Sequence, residues 1–297
     1  MKIIKTFYFE SPKRSIWISH LCNWKIKKAN HKNGAKECVQ IILDKSIHKD
    51  NFEPYHIVLL SCWIEFIKKK GYNIYLTTQN KELDTFIRED IDIRKYWTTI
   101  NTDHIDSPDP SRLNLWRIVK GRDEEYRISV DKYFSNKFPD KDFFMLNNCL
   151  CELYFNIFDH SESDGIAFSY IHYDDSKETI RIAICDFGKG IANKIRNAYP
   201  NIQNDEDALV KSLEKGISAK TQKHNAGFGL DNVLSCLGEG SQLKIISNGA
   251  FLISLKKEDQ IETKTYKLSF YFKGTLIYFD LNISGFENTE INKEFTF

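Results

Sequence analysis

Three things are scarce in this 297-residue chain, and each scarcity excludes a class of protein. Charge of one sign does not accumulate: 42 Lys and Arg stand against 41 Asp and Glu. A long-range field that would gather DNA or an anionic membrane is therefore not expected, and nucleic acid is not the expected partner. Paired cysteines are missing too. Cys22, Cys38, Cys62, Cys149, Cys151, Cys185 and Cys236 include no C-x-x-C pair and mostly fall in apolar patterns, so they read as reduced core residues of a cytoplasmic protein. Long apolar runs are absent as well. The densest, 57–67, contains Ser61 and Glu65 and is too short to cross a bilayer, so no membrane association is expected. The first residues, MKIIKTFYFESPKR, place a lysine before any long apolar run and offer no small-residue cleavage site, which argues against a signal peptide. Internal repeats and low-complexity tracts are missing.

What is present suffices for a large core: 41% hydrophobic and 13% aromatic residues, in a length that suggests two domains. Residues 38–43 (CVQIIL) read as a strand, and Pro54 marks a helix start followed by Ile57, Leu60, Ile64 and Ile67 at helical spacing. Gly71 stops that helix, 72–78 (YNIYLTT) alternates as a strand, and KELDTFIRED reads as another helix. This strand, helix, strand, helix order predicts a small α/β domain over 1–110, ended by DSPDPS at 106–111. From 111 to 297 the pattern predicts helices over 126–138 and 142–159, then strands at 165–173, 179–185, 242–247, 250–255, 265–272 and 275–281. Their short connections favour an antiparallel meander with helices on one face, an α+β layer with 191–226 as an excursion from it.

The helix over 142–159 holds a puzzle. Its sequence CELYFNIFDHS is apolar enough for a core, yet Glu152, Asn156 and His160 recur every four residues, with Asn148 one step earlier, as a polar stripe. Further along stand DFGKG at 186–190 and GFGL at 227–230. Each stretch alone has an ordinary explanation, a solvated helix face or a tight turn.

Taken together and in this order, the three stretches and the strand GTLIYFDL at 274–281 resemble the GHKL superfamily. That group includes DNA gyrase, the ninety-kilodalton heat-shock chaperones, mismatch-repair ATPases, sensor histidine kinases and anti-sigma factor serine kinases. The resemblance covers roughly 140–283 and implies a two-layer α/β sandwich of the Bergerat type, with ATP and Mg²⁺ as cofactors. Asn156 matches the asparagine that coordinates Mg²⁺, a neutral oxygen ligand where phosphate supplies the charge. Glu152 matches the glutamate that orients or deprotonates the attacking group. His160 either hydrogen-bonds a phosphate or caps the helix, and Asn148 is expected to pack or hydrogen-bond near the domain junction, outside the site. Asp186 matches the carboxylate that accepts a hydrogen bond from the adenine amino group. Gly188 and Gly190 let the backbone approach the nucleotide, and Thr275 supports the adenine contact. Gly227, Gly229 and Leu230 open the next helix, where amides meet phosphate. The segment between the glycine boxes would be the ATP lid, with Lys215, Lys220, Lys223 and His224 in it.

Other nucleotide signatures are lacking. DFG occurs without an HRD loop or a glycine-rich loop ahead of a strand lysine, and there is neither a P-loop nor a dinucleotide fingerprint, since GFGLDN lacks the third glycine. Within the superfamily, a sensor histidine kinase would need a phosphoacceptor histidine just upstream of 140, and none is there. Of His20, His31, His48, His56 and His104, only His56 lies in a good helix, with no acidic residue directly after it. The compact branch remains: an ATPase or a serine/threonine protein kinase like the anti-sigma factor kinases, acting in bacterial-type regulatory signalling on a STAS-type or other protein partner. The 1–110 module is itself loosely similar to a STAS-like domain. A non-catalytic ATP-dependent switch and an atypical histidine kinase are the alternatives, and a homodimer is compatible with each.

Overall fold

The computed structural model describes residues 2–22, 27–29, 37–98, 111–119, 121–160, 166–215, 217, 230–258 and 260–288. It is an α+β chain with two sheets. The first sheet is parallel, in the order β1 (Lys2–Phe9), β2 (Glu37–Leu43), β3 (Asn73–Thr78), with α1 (Arg14–Cys22) and α2 (Pro54–Lys69) as its crossovers. Sequence periodicity finds β2, α2 and β3 but passes over β1 and α1.

Helix α2 is well determined by its ends. Pro54 occupies the first turn, where a missing N–H costs nothing. The Glu53 N–H donates to Nδ1 of His56 at 2.9 Å. At the other end Gly71, at φ 92°, lets its own N–H reach the Lys68 carbonyl and that of Tyr72 reach Ile67, a Schellman closure. After β3, Asn80 caps α3 (Lys81–Thr85) by accepting from the Leu83 N–H at 2.9 Å, and the helix ends in a single π turn, Phe86–Asp90. A one-turn helix α4 (Lys95–Thr98) follows.

The second sheet runs β4 (Arg112–Arg117), β5 (Ala167–Asp174), β6 (Thr179–Asp186), β8 (Gln260–Asn282), β7 (Gln242–Lys257), antiparallel throughout. The four strands expected over 242–281 are two long ones. The interruptions read as strand ends are irregularities at Asn248, where the β7 to β8 register shifts, and at Gly274, at φ 107°. Strand β4, directly after the DSPDPS break, went unread. On one face lie α5 (Asp123–Lys137), α6 (Phe144–His160), α7 (Ile191–Ala198), α8 (Asp205–Lys211) and α9 (Leu230–Ser235).

Two layers describe the chain after residue 111, but the whole molecule has more. The strands of the second sheet sort their residues alternately between two cores. Ile180, Ile182 and Ile184 of β6 and Ile277, Phe279 and Leu281 of β8 pack with α5 to α9, whereas Ala183, Cys185, Leu276 and Tyr278 face the other way. That second face is covered by α2, which explains why 11 of its 16 residues are buried: a helix lying between two sheets is apolar nearly all round. One apolar cluster therefore takes in both the first sheet and the underside of the second. The junction is also held by an ion pair of low exposure, Arg117 with Glu65 at 2.7 Å, and by the Cys62 thiol donating to the Cys185 carbonyl at 3.3 Å. No helix among the described residues is long and apolar enough to cross a membrane.

Candidate functional site

The face that packs under α5 to α9 is apolar along most of its length and turns polar at one end. Register explains how. Asp186 on β6 pairs with Thr275 on β8, and Thr275 pairs with Ser247 on β7. All three are an even number of residues from the apolar positions Ile184, Ile277 and Ile245, so their side chains share that face. A row of three polar side chains thus crosses three strands, and it is buried: 8%, 5% and 0% exposed respectively.

A buried carboxylate needs explanation. Burial in a low-dielectric setting raises the Asp186 pKa to about 6, and the Lys194 charge and the amides of Gly188 and Thr275 only partly oppose this. The Gly188 N–H donates to Oδ1 at 2.7 Å, so the glycine of DFGKG folds the chain back over its own aspartate. A carboxylate offers about four acceptor positions, and two amides leave capacity for an amino group on a ligand.

The turn after Asp186 is clamped from behind by Thr275, which the sequence reading named, and by Asn248 and Ser247, which it missed. Asn248, at φ 54° and fully buried, accepts from the Asn193 N–H at 2.8 Å and donates to the Lys189 carbonyl and the Tyr271 hydroxyl, both at 2.9 Å. It thereby supplies the cap that the first turn of α7 lacks locally. Thr275 Oγ1 accepts from the Ile191 N–H at 3.2 Å, and Ser247 Oγ donates to the Gly274 carbonyl at 3.0 Å. The only sequence signal for this clamp was S-N-G at 247–249, which reads as a turn between strands.

Gly190 and Gly274 are required by this packing. At Gly190, φ 82°, an added Cβ would lie 2.5 Å from the Asn248 side-chain oxygen and 2.6 Å from that of Ser247. At Gly274 it would lie 2.0 Å from the Asp186 carbonyl oxygen. The space at the Gly190 Cα is occupied by Asn248 and Ser247, a reason for glycine there that involves no nucleotide.

Helix α6 lies over the same face. Its buried side is Leu146, Cys149, Leu150, Leu153, Tyr154 and Ile157, and Tyr154 shares a hydrogen bond of 2.9 Å with Ser169 of β5. Helix α6 ends at His160, and β5 begins at Ala167, the residue paired with Asp186. Glu152, Asn156 and His160 lie along the C-terminal half of α6. Their side chains lie outside the described residues, as do Gly227, Gly229, Lys220, Lys223 and His224. Lys215 is exposed, and Leu230 starts α9 with its side chain in the core. Asn148 is exposed and does not pack at a junction; its neighbour Asn147 is the buried one, donating to Asp131 of α5 at 3.2 Å. Among the described residues no group of three or more His, Cys, Asp or Glu could hold a metal ion.

His56 is built into the core of the first module, and it is not the one helical histidine there, since His20 lies in the last turn of α1. Nδ1 accepts from Glu53, so the proton resides on Nε2 and is donated to the Pro12 carbonyl at 2.8 Å. Burial pushes its pKa down to about 3.

No family model matches the chain. No curated protein matches it either. Among solved structures it is similar to the ATP-binding domain of topoisomerase IV from Francisella tularensis, in complex with a small-molecule inhibitor. The identity is 17% over 41% of this chain and 32% of that one, with a TM-score of 0.25. The chain thus spans about a third of that protein's length.

Proposed function

We propose that the chain binds Mg-ATP at the polar end of its second sheet and acts as an ATPase or a serine/threonine protein kinase in regulatory signalling. The observation that carries the reading is Asp186. Folding leaves a carboxylate buried, at an energetic cost, beside a glycine turn that a dedicated clamp holds in place, and a structural role alone does not require the charge. Its remaining acceptor capacity suits the amino group of adenine and disfavours guanine, which presents a carbonyl there. Thr275 and Ser247 extend the polar floor.

Bound ATP would supply the γ-phosphoryl group. Asn156 would offer a neutral oxygen to Mg²⁺. Glu152, one turn earlier on α6, would orient the attacking hydroxyl or water and accept its proton. A hydroxyl on a STAS-type or other protein partner would make the chain a kinase; water would make it an ATPase.

The test is calorimetric titration of ATP, ADP and GTP, with Mg²⁺, into the purified chain and into Asp186→Asn, with phosphate release followed in parallel. Saturable ATP binding that prefers ATP over GTP and is lost in the variant supports the reading. Absence of binding by the unmodified chain, or equal affinity for GTP, overturns it. Binding without release, by the chain alone and with candidate partners, would replace the catalytic role with a non-catalytic switch.

A further inference from the structure

Outside the site, one pair of side chains has chemistry of its own. Cys149 lies on the buried side of α6, and Cys236 follows directly on α9. They are 87 residues apart in sequence, and their Sγ atoms are 3.3 Å apart in a shared hydrogen bond. A covalent bond of about 2.05 Å needs an approach of little more than 1 Å from there.

We propose that Cys149 and Cys236 are a redox-active dithiol that a peroxide closes to an intramolecular disulfide, joining α6 to the end of α9. Access and polarity set the order of events. Cys149 is 2% exposed, whereas Cys236 is partly exposed. The shared hydrogen bond favours the thiolate on the more exposed Cys236 and disfavours it on the buried Cys149. The Cys236 thiolate attacks one oxygen of hydrogen peroxide, breaking the O–O bond; hydroxide leaves and is protonated to water, and Cys236 becomes a sulfenic acid. Cys149 then attacks that sulfur, giving up its proton as the S–OH oxygen departs as a second water. Two thiols are oxidised by two electrons and one peroxide is reduced to two waters. A small dithiol reverses the bond by exchange.

The other cysteines lack this combination. Cys62 and Cys185 also lie together, but both are wholly buried between α2 and the second sheet, and the Cys62 thiol is directed to the Cys185 carbonyl. Cys151 has Asn147 as its neighbour at 3.9 Å.

The experiment treats the reduced full-length chain with hydrogen peroxide, alkylates the remaining thiols, and maps the digest by mass spectrometry. The expected product is a peptide pair linked through Cys149 and Cys236, removed by dithiothreitol. Cys149→Ala should stop at the sulfenic acid of Cys236, trapped by a diketone probe, while Cys236→Ala should leave Cys149 reduced. Circular dichroism of each variant separates lost chemistry from lost folding. A linkage mainly between other cysteines, conversion of Cys236 to sulfinic acid with no linked peptide, or no oxidation of either residue would overturn the proposal. None of these readouts involves nucleotide, so the result stands apart from the proposed function.

Discussion

His56, on the helix between the two sheets, and Asp186, on the second sheet, are both buried and both ionisable, yet their surroundings treat them differently. His56 is kept neutral, with each ring nitrogen given one backbone partner and with Trp17, Phe52 and Tyr55 packed around it at 4.7, 5.3 and 4.0 Å. Asp186, on the face under α5 to α9, receives two amides, yet its pKa is still raised to about 6, so at neutral pH it carries a charge that its environment disfavours. The first arrangement lowers the energy of the fold. The second spends stability, and the turn that contains it is held by a separate polar clamp. Burial penalises ionisation of both groups, but only Asp186 is charged at neutral pH, and buried groups left charged against that penalty concentrate where function needs them.

The strongest way to break this contrast is to remove the charge at Asp186. Asp186→Asn keeps an acceptor for the Gly188 N–H and removes the desolvated charge, so the variant should be more stable at pH 7 by up to about 3 kcal/mol, the value of a shift of roughly two pKa units. ATP affinity should fall at least ~10-fold, as expected for loss of a charge-assisted hydrogen bond. Urea denaturation and calorimetry on one preparation measure both. A variant that is less stable would show that the carboxylate serves the fold.

His56→Ala should act in the opposite sense. It leaves the Glu53 N–H without its partner and the Pro12 carbonyl with only the longer Tyr55 contact, and it opens a gap among three aromatic rings, a loss of about 3 kcal/mol or more. Nucleotide binding by the protein that remains folded should be unchanged. A matching loss of affinity would mean that the two sites are coupled through α2.

These two residues also show what the sequence could and could not tell. Part of the polar end of the second sheet was legible, because DFGKG and GTL mark Asp186 and Thr275, which the sheet pairs. The clamp was not, because Asn248 acts on Lys189 and Asn193 across strands more than fifty residues away, and S-N-G looks like any turn. The same locality explains the misread strands. Asn248 and Gly274 are breaks to a local pattern, but irregularities that a long hairpin absorbs. Nor did the strands reveal their second covering. In β5 both alternating sets of residues are apolar, which fits either an inner strand under helices or one enclosed on both sides.

Changing pH should move the two groups in opposite directions. For His56 the folded pKa of about 3 lies below its ordinary 6.5, so the unfolded chain binds more protons between those values, and stability is lost as pH falls from 6.5 toward 3. For Asp186 the folded pKa of about 6 lies above 3.8, so the folded chain binds the extra proton, and stability is gained as pH falls from 6 toward 3.8. Around pH 5 the two partly cancel in the unmodified chain. Thermal melts from pH 7 to 4 should therefore fall more steeply for Asp186→Asn than for the unmodified chain, and more shallowly for His56→Gln.

The smallest expected effect tests whether the row beside Asp186 touches ligand or only supports the turn. Ser247 is fully buried, donates to the Gly274 carbonyl and lies 3.4 Å from Thr275 Oγ1. Ser247→Ala removes one neutral hydrogen bond and adds no bulk, a cost of about 1 kcal/mol. Because Ser247 bonds to the Gly274 carbonyl and lies beside Asn248 and Thr275, at the back of the turn, ATP affinity should change by less than about threefold, under 0.7 kcal/mol. Thr275→Val, one strand closer to Asp186, should cost more affinity than stability if its hydroxyl assists the ligand contact. Equal affinity losses in the two variants would place both hydroxyls in the supporting layer and leave Asp186 as the sole polar contact from the strands.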